Sequence, residues 1–207
     1  MRLSEKAYRL IKEKIITLEL SPLSVIDEQA LGEELDLGRT PIREALHRLA
    51  AEGLVLIAPR RGMFVAEISI TDLQKIFEVR VVLEGFCARL AAQRTSQEQV
   101  AQIEATLQEL DQVPDRDWRA VMKIDERFHE LIYQAADNEF LTDELSRLHA
   151  LSLRLWYLVL DGVEDVRGEV AVHREIIPAL KAGDGAWAEA LMQKHLAGFQ
   201  RTIRAVL

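Results

Sequence analysis

From Thr71 to the C-terminus the chain offers no alternating apolar–polar run that could make a strand. Apolar residues recur instead at spacings of three and four, the period of an amphipathic helix. Helices are expected over 71–94, 96–112, 117–137, 140–160, 163–181 and 184–206, the first capped by Thr71-Asp72. The breaks fall at Thr95-Ser96, Val113-Pro114-Asp115, Asp137-Asn138, Asp161-Gly162 and Gly183-Asp184-Gly185. Short loops between helices of roughly 20 residues leave an antiparallel all-α bundle as the natural architecture.

The first 66 residues follow a different grammar. Ala7, Leu10, Ile11, Ile15 and Leu18 mark a helix over 4–19. Ser21-Pro22 ends it, and Asp27 can cap a second helix reaching Leu35. A third runs over 39–52, with Gly53 at the position where a helix-terminating glycine belongs. Two β-prone runs follow, Leu54–Ala58 and Met63–Ala66, joined by Pro59-Arg60-Arg61-Gly62, where Gly62 can take positive φ. Three helices and a hairpin are the layout of a winged helix-turn-helix. The fold class is therefore mainly α, in two domains: 1–66, a linker over 67–70, and the helical bundle over 71–207.

The net charge of −8 argues at first against a nucleic-acid partner. Its distribution reverses that. Residues 1–66 hold ten basic and ten acidic side chains, so the whole excess lies in residues 67–207. Glu28, Glu33, Glu34 and Asp36 are segregated from Arg39, Arg43, Arg48, Arg60 and Arg61, which follow them. No stretch approaches the roughly 20 apolar residues of a membrane span. The N-terminus lacks the apolar core of an export signal, and the single cysteine, Cys87, precludes an intrachain disulfide framework. A cytoplasmic protein is expected.

A recognition helix needs long donors in its first turn to reach base edges and phosphates in the major groove. Arg39 and Arg43, four apart, share one face there, and Pro41 is well placed where a missing N–H costs nothing. Ile42, Ala45, Leu46 and Leu49 form the opposite, core-facing side. The bland alternative is that both arginines are solvated or paired with Glu33 and Glu34. The run Leu37-Gly38-Arg39-Thr40-Pro41-Ile42-Arg43-Glu44-Ala45-Leu46, with Leu49, Glu52-Gly53-Leu54-Val55 and Arg61-Gly62, resembles the GntR family of regulators. The resemblance implies operator contacts from Arg39, Thr40 and Arg43, and from Arg61 and Gly62 at the wing tip. Gln29 occupies a position where the family commonly has a basic DNA-contacting residue, and Gly38 stands where Ser or Thr is usual.

In the bundle, four polar residues lie on apolar stripes. Asp125 and His129 are one turn apart among Val121, Phe128 and Ile132; His173 follows Val166 and Val170; His195 lies with Ala188, Leu191, Met192 and Phe199. One carboxylate and three imidazoles facing inward suit a divalent transition metal, although any one of these histidines taken singly reads more simply as a hydrogen-bonded core residue. His149, beside Ser152 and Trp156, reads as structural.

The helical tail resembles the FCD effector domain of FadR-type GntR regulators, in its six-helix, VanR-like branch. The stretch Leu73–Arg80 through Glu84, with Ala91-Ala92, carries the likeness to that domain's first helix. The resemblance implies that Asp125, His129, His173 and His195 hold zinc, nickel or manganese and that a small organic acid completes the coordination. It makes Arg80 the candidate grip for the acid's carboxylate, with an ion pair to Glu84 as the competing reading; Arg154 and Tyr157 are further candidate lining residues. A homodimer on a palindromic operator, acting as a repressor, is the function implied. Two alternatives are a metal-sensing regulator and, less favoured, a metal-dependent enzyme with Glu126 or Glu130 as base. Against the enzyme, those glutamates lie on other faces of the helix.

Overall fold

The computed structural model describes residues 2–206, apart from the side chain of Ile70. The chain divides into two compact units: Met1–Ile70 together with Ala150–Leu158, and Thr71–His149 together with Val159–Leu207.

The first unit opens with α1 (Leu3–Ile16), α2 (Glu28–Leu35) and α3 (Arg39–Ala51), followed by the antiparallel pair β1 (Val55–Ala58) and β2 (Gly62–Val65). α1 stops three residues short of the expected end. Leu18 adopts a left-handed φ of 62°, which lets Leu18 N bond Ile15 O and Leu20 N bond Lys14 O. This closes the helix as a glycine would. Asp27 caps α2 as expected, its carboxylate accepting from the amides of Gln29 and Ala30. Ile42, Ala45, Leu46 and Leu49 are buried, with α1, α2 and β1 packed against α3. A partly buried polar knot reinforces the α1–α3 contact. The Tyr8 hydroxyl donates to Glu52 at 2.8 Å, Lys12 Nζ reaches Glu52 at 2.9 Å, and the Arg48 guanidinium lies 3.6 Å from the Tyr8 ring centroid. The hairpin pairs Val55 with Val65 and Ala58 with Gly62, whose φ is +103°. An isolated antiparallel bridge not foreseen from the sequence joins Val25 to Phe64.

The second unit contains α4 (Ile70–Arg94, from Thr71 on), α5 (Gln97–Gln108), α6 (Trp118–Ala135), most of α7 (Glu139–Val159), α8 (Val166–Ala171), α9 (Ile177–Ala182) and α10 (Gly185–Val206). Polar caps set most starts: Ser96 forms a capping box with Gln99, and Asp117, Asn138 and Asp165 each accept a backbone amide. Thr71 and Asp72 fall within the first turn of α4 rather than before it.

The single helix expected over 163–181 is not formed. α8 ends at Ala171, residues Val172–Ile176 form a 3-10 turn, and α9 begins with Pro178 in its first turn. Proline donates no amide to the preceding turn, and its ring excludes the carbonyl four residues back. A continuous α-helix through 174–178 is therefore disfavoured.

Candidate DNA-binding face and buried His–Asp cluster

The exposed side of α3 displays Arg39, Thr40, Arg43, Glu44 and His47. The arginines are not paired with Glu33 and Glu34. Both instead approach one carboxylate oxygen of Glu28, Arg43 Nε at 2.8 Å and Arg39 Nε at 3.7 Å. Their side chains remain 52% and 76% exposed, so this tether leaves both available to a partner. Gln29 is exposed and donates to Glu33 at 3.0 Å, while Glu34 pairs with Lys14 at 2.6 Å. Arg61 and Gly62 are exposed at the hairpin tip. Gly38 precedes α3 and offers no side-chain cap.

The second unit brings Asp125, His129, His173 and His195 together from α6, the 3-10 turn and α10. All four are buried, and one potential donor atom from each lies within 4.8 Å of the others. Asp125 Oδ1 is 3.9 Å from His129 Nε2 and 3.7 Å from His173 Nε2, and the two imidazole nitrogens are 3.3 Å apart. Donors bound at about 2.0–2.2 Å to one ion stand roughly 3 to 4 Å from one another. The donor set therefore fits a divalent metal in both chemistry and spacing, with only a small inward adjustment at its widest pair. His173 is already oriented: its Nδ1 donates to the Val170 carbonyl at 2.7 Å, which leaves Nε2 facing the cluster as an acceptor.

Residues 75–198 match the family described as FCD domain, and residues 3–65 match the bacterial regulatory proteins of the gntR family. This chain belongs to the GntR family and carries an FCD domain. The HTH-type transcriptional repressor RspR of Escherichia coli K12 is 28% identical over 204 residues, covering 98% of this chain and 90% of the relative. The repressor GlaR of the same organism is 30% identical over 199 residues, covering 91% and 90%. Among solved structures, E. coli McbR/YncC superposes with a TM-score of 0.88 at 20% identity over 99% of this chain and 98% of that one. This GntR-family chain is thus a DNA-binding transcription regulator rather than an enzyme. Among the described residues, no helix is long and apolar enough to cross a membrane.

The FCD domain surrounds the cluster with more ionisable groups than the sequence disclosed. Arg80 and Glu84 of α4 are both fully buried and form a tight ion pair, Arg80 Nε donating to Glu84 Oε1 at 2.7 Å. The ion pair that competes with an effector contact at Arg80 is present. The other carboxylate oxygen of Glu84 lies 2.8 Å from His129 Nδ1. His149, which reads as structural from its helix stripe, places Nε2 at 3.6 Å from Asp125 Oδ2 and its ring centroid 4.5 Å from that of His129. Only the three-dimensional meeting of α6 and α7 exposes this neighbour, because spacing along one helix does not say which side chain stands opposite. Arg154 and Tyr157 group with the first unit. Arg154 is buried and donates to the Ala66 carbonyl at 2.5 Å, and Tyr157 is half-buried.

The electrostatics separate acids from bases. Burial pushes the Asp125 carboxyl up, but His149, His129 and His173 outweigh it and hold the group well below the ordinary carboxylate range. Burial likewise opposes ionisation of Glu84, and the Arg80 guanidinium, followed by His129, draws it well below its usual value. Burial pushes His149 and His173 down to about 4 and takes His195 well below its ordinary value. At neutral pH the cluster therefore presents ionised carboxylates beside uncharged His149, His173 and His195, the protonation state that metal ligation requires.

Proposed function

We propose that this regulator is a repressor whose operator affinity is set by a small organic acid held at a divalent metal site in its FCD domain. The convergence of Asp125 Oδ1, His129 Nε2 and His173 Nε2 within 3.3–3.9 Å in a buried interior carries the reading, with His195 as the fourth ligand. Zinc, nickel and manganese suit this mixed nitrogen–oxygen set. When bound, the ion supplies positive charge and open coordination positions that a carboxylate can fill. Arg39, Thr40 and Arg43 contact the operator from the first turns of α3, Arg61 and Gly62 contact it from the wing, and Gln29 lies beside them on α2. Val79, Val82 and Phe86, spaced along α4, are 47%, 61% and 43% exposed. An apolar stripe of this kind favours a second copy of the chain, and a two-fold dimer reads a palindrome. A cytoplasmic location accords with this role.

The test combines metal analysis with DNA binding. Purified protein, titrated onto its own upstream DNA in an anisotropy assay, is screened against small organic acids with and without chelator. The expected result is near-stoichiometric metal, lost in His173→Ala and His195→Ala, and an acid that releases DNA only while metal is present. Release by metal alone would make the ion itself the signal. Unchanged metal content in both variants would overturn the site.

A further inference from the structure

Resting on the metal site proposed above, we propose that Glu84 is the positioning residue of that site. Its carboxylate, clamped by Arg80, fixes the ring of His129 and the nitrogen through which His129 binds the ion. Three observations converge on this role. Glu84 and His129 are completely or almost completely buried. Glu84 Oε2 and His129 Nδ1 stand 2.8 Å apart, both are buried with no hydrogen bond to any third group, and the Tyr133 hydroxyl is the other buried polar group that interacts with Glu84. The opposite carboxylate oxygen is held by Arg80, which leaves Oε2 on the side of the imidazole.

An unpartnered carboxylate oxygen and an unpartnered imidazole nitrogen in a dry interior are costly apart and favourable together. A small rotation of the His129 ring brings an Nδ1–H group onto Glu84, which leaves the Nε2 lone pair directed at Asp125 Oδ1 and His173 Nε2. His173 is prepared in the same sense by the Val170 carbonyl. The two facing histidines thus each have their Nδ1 hydrogen fixed by a group behind them, one by a backbone carbonyl and the other by Glu84. Arg80 acts one step further out. With both Nε and a terminal nitrogen on Glu84, it serves to hold that carboxylate ionised and oriented, not to grip an effector.

The experiment measures zinc affinity of the full chain by competition with a chromogenic chelator, in the parent, in Glu84→Gln and in the double variant Arg80→Met/Glu84→Gln. The double variant removes the charge pair together, so no buried charge is left without its counter-ion. Loss of an outer partner of a ligating histidine typically weakens metal binding about 10- to 100-fold, and that loss is expected in both variants with their helical content retained. Zinc affinity equal to the parent's in the folded double variant would overturn the role of Glu84 while leaving the metal site standing. A parent that binds zinc, nickel and manganese no better than His195→Ala would remove the site and this role together. Nitrogen–proton long-range spectra of the zinc-loaded parent give a readout independent of any variant. His129 is expected as the Nδ1–H tautomer ligating through Nε2, and ligation through Nδ1 would refute the proposal.

Discussion

The Nε2 atoms of His129 and His173 face one another at 3.3 Å, beside a carboxylate oxygen of Asp125 within 4 Å of both. Two imidazole lone pairs and a carboxylate oxygen in one buried space repel unless a proton or a cation lies between them. Zinc binding to the folded chain alone stabilises it by mass action, by about 2.7 kcal/mol at a hundredfold excess over Kd. Thermal unfolding is expected to shift upward with zinc in the parent and not in His195→Ala. A zinc-independent melting temperature in the parent would contradict the site.

Metal-free protein should lose stability on mild acidification. Folded His149 and His173 stand near 4, whereas an unfolded histidine titrates near 6.5. Above about pH 6.5 both states hold these rings neutral. Between about 6.5 and 4 the unfolded chain takes up protons that the folded chain refuses, so stability falls as pH falls. Asp125 and Glu84, held below their usual range, act in the same sense as the pH nears the ordinary carboxylate range of about 4. Melting temperatures in chelator at pH 7.5 and pH 5 test it; a flat or rising trend toward acid would count against the burial of these rings as neutral bases.

On the first unit, Arg43→Ala is expected to weaken operator binding by about 1–3 kcal/mol, or roughly 5- to 150-fold. Glu28→Gln should act in the opposite direction, raising affinity a few-fold. It removes the carboxylate that competes with DNA for Arg43 and Arg39, along with one negative charge near the phosphates. Anisotropy titrations at two salt concentrations would show both effects. Weaker binding in both variants would mean that Glu28 acts by orienting the arginines rather than by competing for them.

Leu46 is fully buried in the core face of α3. Leu46→Ala should cost about 2–5 kcal/mol, read as a lower denaturation midpoint of the full chain. Asp27→Ala, which removes the α2 cap, should cost only about 1 kcal/mol. The ranking of the two is the test, and equal costs would mean that the α1–α3 core is looser than its burial implies.

Much of this arrangement was legible in the residues because it is set by local rules. Asp27 precedes an apolar period and caps; Gly62 follows Arg60-Arg61 and takes positive φ. Asp125 and His129 share a helix face because they are four apart. What escaped was set between elements. The Val25–Phe64 bridge depends on an irregular segment folding back on β2. The interruption of 163–181 follows from Pro178, yet the apolar period runs through it unchanged. Glu84 reads as the i+4 partner of Arg80, and it is. That its second oxygen meets His129 is fixed by how α4 packs against α6, which periodicity does not encode.

The 3-10 turn over Val172–Ile176 has a consequence for which ions the cluster can tolerate. Asp125 and His129 are borne on an 18-residue helix and His195 on one of 22 residues, and such helices shift only as bodies. His173 alone rides a short stretch with weaker backbone hydrogen bonds. Were an ion held by these four residues, differences in ionic radius would be absorbed at His173, as a change of ring position, while the other donors stayed in place. Selectivity among ions would then reside in the compliance of five residues rather than in the donor set.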